Sequence, residues 1–151
     1  MIAIAFAWTT PALVTGNKTC TRRDWKETHA RRFRVGDLVA AYDRQPRHGG
    51  HWVATLRLTA TPVFSSELPE EDWEREGFRW LSARGAKVGG HSPEVIWRAF
   101  RIGANAGEHW WVVRFSVESL TDFGLDLALR HGGTPLGAVR NVRVVGPKED
   151  R

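Results

Sequence analysis

The chain predicts an α+β domain: a small, strongly twisted mixed β-barrel with short helices packed around it. Two observations carry this. Short apolar runs bounded by turn signals recur along the chain, yet helix-length crossovers do not alternate regularly with them, which argues against a doubly wound parallel sheet. A length of 151 residues with 42% hydrophobic and 26% charged content suits one hydrophobic core and is short for two, so residues 1–151 are expected to form a single domain.

Taken in order, residues 2–8 form a compact apolar run that reads as a buried strand. Thr10 before Pro11 is the pairing of an N-cap with a first helical residue, and Gly16 supplies the stop for a helix over residues 11–15. A basic stretch follows, in which Lys18, Arg22 and Arg23 crowd Thr19, Cys20 and Thr21. Between residues 24 and 32, Trp25, Thr28 and His29 recur at helical spacing and predict a short amphipathic helix or turn. The turn signal Gly36-Asp37 leads into a strand over residues 38–42. After a break at residues 43–50, residues 51–61 alternate, predicting Trp52, Ala54, Leu56 and Leu58 on one face and Val53, Thr55, Arg57 and Thr59 on the other.

Pro69-Glu70-Glu71-Asp72 opens a helix with acids in its first turn, where they meet the positive end of the helix dipole, and Gly77 closes it. Residues 82–91, with Gly85, Gly89, Gly90, Arg84 and Lys87, read as a mobile basic loop. Ser92-Pro93 caps a helix with Val95, Ile96, Ala99, Phe100 and Ile102 turned inward, ending at Gly103. Residues 109–117 are apolar almost throughout and predict a central strand. Thr121-Asp122 begins another helix with a cationic end at Arg130-His131, residues 139–145 predict a last strand at a sheet edge, and residues 147–151 form a tail.

The opening apolar run lacks a basic leader and spans about eight residues, well short of the roughly 20 a membrane helix needs; no membrane or targeting segment is expected. Cys20 is the single cysteine, so no internal disulfide forms and a reducing, cytoplasmic setting fits best. Twenty-two Lys and Arg against 17 Asp and Glu give a formal charge of +5, which favours an anionic partner such as RNA or a nucleotide. Eight tryptophans fill core first, but aromatics interleaved with basic residues also stack unpaired bases. His48 and His51 lack a third ligand at helpful spacing, so no metal is expected; residues 85–90 complete no phosphate-loop motif, and no cofactor is expected either.

Gly16, Lys18 and Arg23 match the spacing of the Gly-x-Lys…Arg signature of the ASCH domains, members of the PUA-like superfamily, with Thr21 where that pattern often has Glu. The initial strand, the short helix entering the motif and the Gly36-Asp37 turn before a strand also resemble that family. The resemblance covers roughly residues 4–118, and residues 119–151 read as a C-terminal helix-strand extension. It implies a PUA-like barrel with a cleft beside the motif, and recognition of RNA or a modified nucleoside. One branch, the small bacterial N4-acetylcytidine amidohydrolases, pairs a lysine and a threonine three residues apart with a glutamate in a later helix. Lys18 and Thr21 match the first two, and Glu76 matches the third, with Glu74 as competitor.

On this reading Thr21 is the nucleophile, Lys18 its base if burial and neighbouring cations lower its pKa, and Glu76 the acid that protonates the leaving amine. A ribonuclease is a further alternative within the same superfamily. Residues three apart on a regular strand point to opposite faces, so Lys18 and Thr21 meet only if the chain turns here. Arg22 and Arg23 point opposite ways in an extended segment: Arg23 is expected inward, on ligand or in an ion pair, and Arg22 on the surface. Lys18, Arg22, Arg23, Trp25, Arg84 and Lys87 are the residues expected to contact ligand or nucleic acid.

Overall fold

The computed structural model describes residues 1–132 and 143–145. Its architecture is mixed α+β, a curled sheet forming a half-barrel with short helices around it. The elements are β1 (Ile2–Ala5), α1 (Thr10–Val14), β2 (Cys20–Arg23), α2 (Glu27–Ala30), β3 (Leu38–Tyr42), β4 (Trp52–Leu58), β5 (Val63–Ser65), α3 (Asp72–Arg75), α4 (Phe78–Ala83), α5 (Pro93–Asn105), β6 (Trp110–Thr121), α6 (Asp122–Arg130) and β7 (Arg143–Val145).

The sheet is organised by β6. Its first part pairs antiparallel with β2 on one side and β5 on the other, and its second part pairs antiparallel with β4 and parallel with β7. β4 continues antiparallel to β3, and β3 parallel to β1, so the path runs β1-β3-β4-β6-β2. Register shifts at Ala41/Tyr42 and Thr55/Leu56 sharpen the curl, since a bulge bends the strand that carries it. The curl encloses one principal core, with Ile4, Phe6, Leu13, Val39, Leu56, Val113, Phe115 and Leu120 at its centre. A second cluster gathers Ala12, Phe78 and Leu81 with Trp73, Trp97 and Phe100.

Several expectations are corrected. β4 is buried on both faces except at Arg57, because α6 covers one face of it; Gly124 packs so close that an added Cβ would lie 1.9 Å from the Val53 carbonyl oxygen. The alternation expected of a half-exposed strand is therefore absent. Gly77 ends α3 and in the same step opens α4, which the sequence reading missed, as it missed the three-residue β5. In α5, Val95 and Ile102 are exposed and Ala99 lies outside too, while Ile96, Trp97 and Phe100 pack inward. The stripe is offset because the helix docks on Phe78 and Trp110 rather than on the main core. The loop over residues 82–91 begins in α4 and is pinched by backbone bonds between Val88 and His91.

β6 runs to Thr121, so a boundary at 118 falls inside the central strand. Thr121 caps α6 as expected: its hydroxyl accepts from the Gly124 amide at 3.1 Å and donates to the Trp52 carbonyl at 2.7 Å. Of the expected last strand, residues 143–145 are seen paired to β6, and residues 139–142 and the tail lie outside the described residues. No helix among the described residues is long and apolar enough to cross a membrane.

Candidate functional site

The basic stretch enters the fold through the end of α1. Gly16, at φ +80°, takes the left-handed conformation that closes helices, and the Asn17 amide donates back to the Ala12 carbonyl at 2.8 Å. This turn drives Lys18 inward, where it is 1% exposed. Its stem lies against Gly77, whose missing side chain is what makes room: an added Cβ would stand 3.1 Å from Lys18 Cβ and 2.8 Å from Ala12 Cβ. The Thr19 amide donates to the Arg75 carbonyl at 2.7 Å and ties the motif to the end of α3.

Glu76, at the C-terminal cap of α3, holds the cluster together. Lys18 Nζ donates to its backbone carbonyl at 2.9 Å and to Oε1 at 3.1 Å, and Arg22 Nη1 donates to Oε2 at 2.8 Å. Arg22 also reaches Asp72 Oδ2 at 2.5 Å. The fully buried Asp72 receives Arg114 bidentately, at 2.9 Å to each oxygen, and Arg75 at 3.4 Å. Arg22 is thus an internal ion-pairing residue, not the surface residue expected; α3 covers its face of β2 and supplies two carboxylates. One atom of it, Nε, is buried without a hydrogen-bond partner, an exception to the rule that buried donors are satisfied.

The other face of β2 presents Thr21 and Arg23. Opposite residues of a ladder share a face, so Thr21 and Arg23 lie with Val113 and Trp111, and Cys20 and Arg22 with Arg114 and Val112. Arg23 Nε donates to Thr21 Oγ1 at 3.1 Å, and its guanidinium sits 5.1 Å from the centre of the Phe6 ring. Lys18, Thr21, Arg23 and Glu76 all line one cavity of about 240 Å³, walled by Phe6, Trp8, Phe78, Ile96 and Phe100. Trp8 stands at its mouth, 62% exposed, next to Ala7 in a left-handed backbone conformation at φ +44°.

Electrostatics follow from burial and pairing. Burial pulls the Lys18 pKa below its ordinary value, with Arg23 adding to the fall and Glu76 opposing it. Burial likewise lowers Arg23. For Arg22 burial works against the charge, but Glu76 and Asp72 outweigh it and the pKa rises. Burial would raise Asp72, yet hydrogen bonds from Arg114 and Arg22 bring it below its ordinary value. The Cys20 thiol is pushed up to about 12 by burial and by Glu76 and Asp72, so it stays protonated and inert.

The remaining expected contacts lie elsewhere. Glu74 is exposed and lines a different depression with Gly16 and Asn17. Trp25 stacks on Phe33, with ring centres 4.7 Å apart, at the edge of the main core. Arg84 covers the Trp80 ring at 4.5 Å, and neither it nor Lys87 lines the cavity. Trp52 is buried beside Ala40 and Tyr42. His51 pairs with Asp43 and stacks on Phe123.

Sequence reading missed Asp72 and Arg114 as members of the cluster. A signal for Arg114 existed: a guanidinium inside the apolar run Trp110-Trp111-Val112-Val113 calls for a carboxylate nearby. No family model, curated protein or solved structure matches the chain.

Proposed function

We propose that the chain is an ASCH-type, PUA-like domain that takes a nucleotide or an unpaired RNA base into the cavity under Lys18, Thr21 and Arg23. The observation that carries this reading is the convergence of Lys18, Thr21, Arg23 and Glu76 on one cavity whose walls are aromatic. A planar base finds Trp8 at the mouth as a stacking surface and hydrogen-bonding groups at the floor, the combination by which proteins read unpaired bases. Trp8 lies outside the ion-pair cluster, so it can be removed without disturbing the buried charges. Trp8→Ala should weaken binding of a short single-stranded RNA or of cytidine about tenfold, the scale of one lost base–aromatic stack. Titration by fluorescence anisotropy or calorimetry measures this. Undiminished binding in Trp8→Ala and Thr21→Val would remove the cavity from the reading, and absence of any RNA or nucleoside binding would remove the reading itself.

A second reading is favoured by one further observation, the position of Lys18: buried, lowered in pKa by that burial, and 3.1 Å from Glu76 in the cavity that Thr21 lines. In an amidohydrolase acting on N4-acylcytidine, Thr21 Oγ bonds to the acyl carbon while its proton passes to neutral Lys18. The bond to the exocyclic nitrogen breaks, and Glu76, supplied through its contact with Lys18, protonates the leaving amine. Water then attacks the threonine ester, releasing the carboxylic acid and restoring the hydroxyl. Incubation with N4-acetylcytidine should yield cytidine by mass spectrometry, with Thr21→Val inactive and the wild-type rate rising with pH as Lys18 loses its proton. An inert wild type removes this second reading. Cleavage of labelled single-stranded RNA instead would point to a nuclease.

A further inference from the structure

Across the sheet from the cavity, the structure assigns a second site: a phosphate-binding depression formed by Arg75, Arg114, Thr19 and Thr59. These residues line a pocket of about 330 Å³ closed at the back by Phe115, and it shares no residue with the cavity holding Thr21 and Arg23. The site stands independently of the function proposed above.

Its charge is unbalanced. Lys18, Arg22, Arg75 and Arg114 share two carboxylates, Asp72 and Glu76, so the three guanidiniums alone exceed the acids by one positive charge, and a protonated Lys18 adds a second. Lys18 and Arg22 are sealed inside, whereas Arg114 and Arg75 have side chains 32% and 49% exposed. The excess is therefore presented to solvent at the latter two. Thr19 and Arg75 also line the adjoining depression with Glu71 and Glu74, but neither of those acids forms an ion pair with Arg75 among the described residues.

Its donors are available and held in place. A guanidinium carries five N–H donors, of which Arg114 gives two to Asp72 and Arg75 one. Asp72 thus fixes the Arg114 plane through two bonds and touches Arg75 through one, leaving the other donors of both without a partner among the described residues. The hydroxyls of Thr19 and Thr59 are exposed and engaged by no other group among the described residues. The backbone joins the four positions: Thr19 N–H to Arg75 carbonyl at 2.7 Å, Phe115 N–H to Thr19 carbonyl at 3.0 Å, and Thr59 N–H to Arg114 carbonyl at 3.0 Å. Two forked cations and two hydroxyls on a fixed frame match the tetrahedral, multiply accepting shape of a phosphate group.

The phosphate could belong to a small molecule or to the backbone of a nucleic acid, and the test separates them. The full chain is titrated with inorganic phosphate, and separately with single-stranded RNA, while backbone amides of Thr19, Thr59, Arg75 and Arg114 are followed by NMR. Shifts at these amides with phosphate alone identify a small phosphate ligand. Shifts with RNA alone, with a salt slope reduced by about one in Arg75→Gln, identify a backbone phosphate. In either arm Arg75→Gln and Thr59→Val should each weaken the response at least threefold, and the exposed control Arg98→Gln should leave it unchanged. Both substitutions are at exposed side chains, and melting temperature confirms that the variants are folded. No amide shift with either titrant, or equal weakening by Arg98→Gln, overturns the assignment.

Discussion

Glu76 and Asp72 are two buried acids that between them hold four cations, and removing one partner of such a cluster leaves charge uncompensated inside the protein. Asp72→Asn should lower stability by about 3–5 kcal/mol at neutral pH, read from urea unfolding. Its pH signature is specific. Asp72 has a folded-state pKa below its ordinary 3.8, so its contribution is complete above that value and is lost as pH falls through the folded pKa. The melting temperature of Asp72→Asn should therefore fall less steeply than that of the wild type below about pH 4, and an unchanged acid slope would contradict the pairing. Lys18 moves stability in the same direction with pH for a different reason: a pKa lowered by burial penalises the fold while the amine is charged, and the penalty lifts as pH rises through it towards 10.5. The resemblance to the ASCH signature is what singled out Lys18, Thr21 and Arg23, and the turn at Gly16 brings Lys18 to the cavity that Thr21 lines. Arg22 was misplaced because alternation along β2 says which residues share a face, not which face another element will cover.

At the scale of the element, Gly77 joins α3 to α4 at φ +87° with Ala12 and Lys18 packed on it. Gly77→Ala combines a disfavoured backbone with a contact that must open, and should cost about 1–3 kcal/mol, measured by urea unfolding. A loss below a few tenths of a kcal/mol would show that α1 and α3 are less tightly apposed than described. Caps and breakers made most helices legible: Ser92 accepts from the Val95 amide with Pro93 behind it, and Thr121 caps α6. α4 was not legible, because its start is a glycine that reads equally well as a stop. β5 escaped because three residues give no period to count, and its pairing with β6 is a tertiary fact.

For the molecule as a whole, residues 119–130 are part of the fold: they end β6 and form α6. Ala128 is part of the main core, Leu127 packs against it, and α6 covers β4. A chain ending at residue 118 should lose cooperative unfolding, seen as a broad or absent melt by circular dichroism; a sharp transition near that of the full chain would show that α6 is dispensable. The mixed α+β class was legible from the irregular order of strands and helices. The curl was not, since it depends on how one strand divides its two edges among four partners. That division governs how the chain folds in time. β2 must wait for β6, its Cys20 pairing with Arg114, and chains dominated by such distant pairings fold slowly because long loops close before any contact rewards them. During synthesis Thr21 and Arg23, the β2 residues that line the cavity, have no strand to pair with until residues 111–114 emerge, although Ala5 of β1 can already pair with β3. The β2 wall of the cavity is thus among the last parts of the protein to come into existence, and the Cys20 thiol, sealed only when β2 docks, is a natural clock for that event.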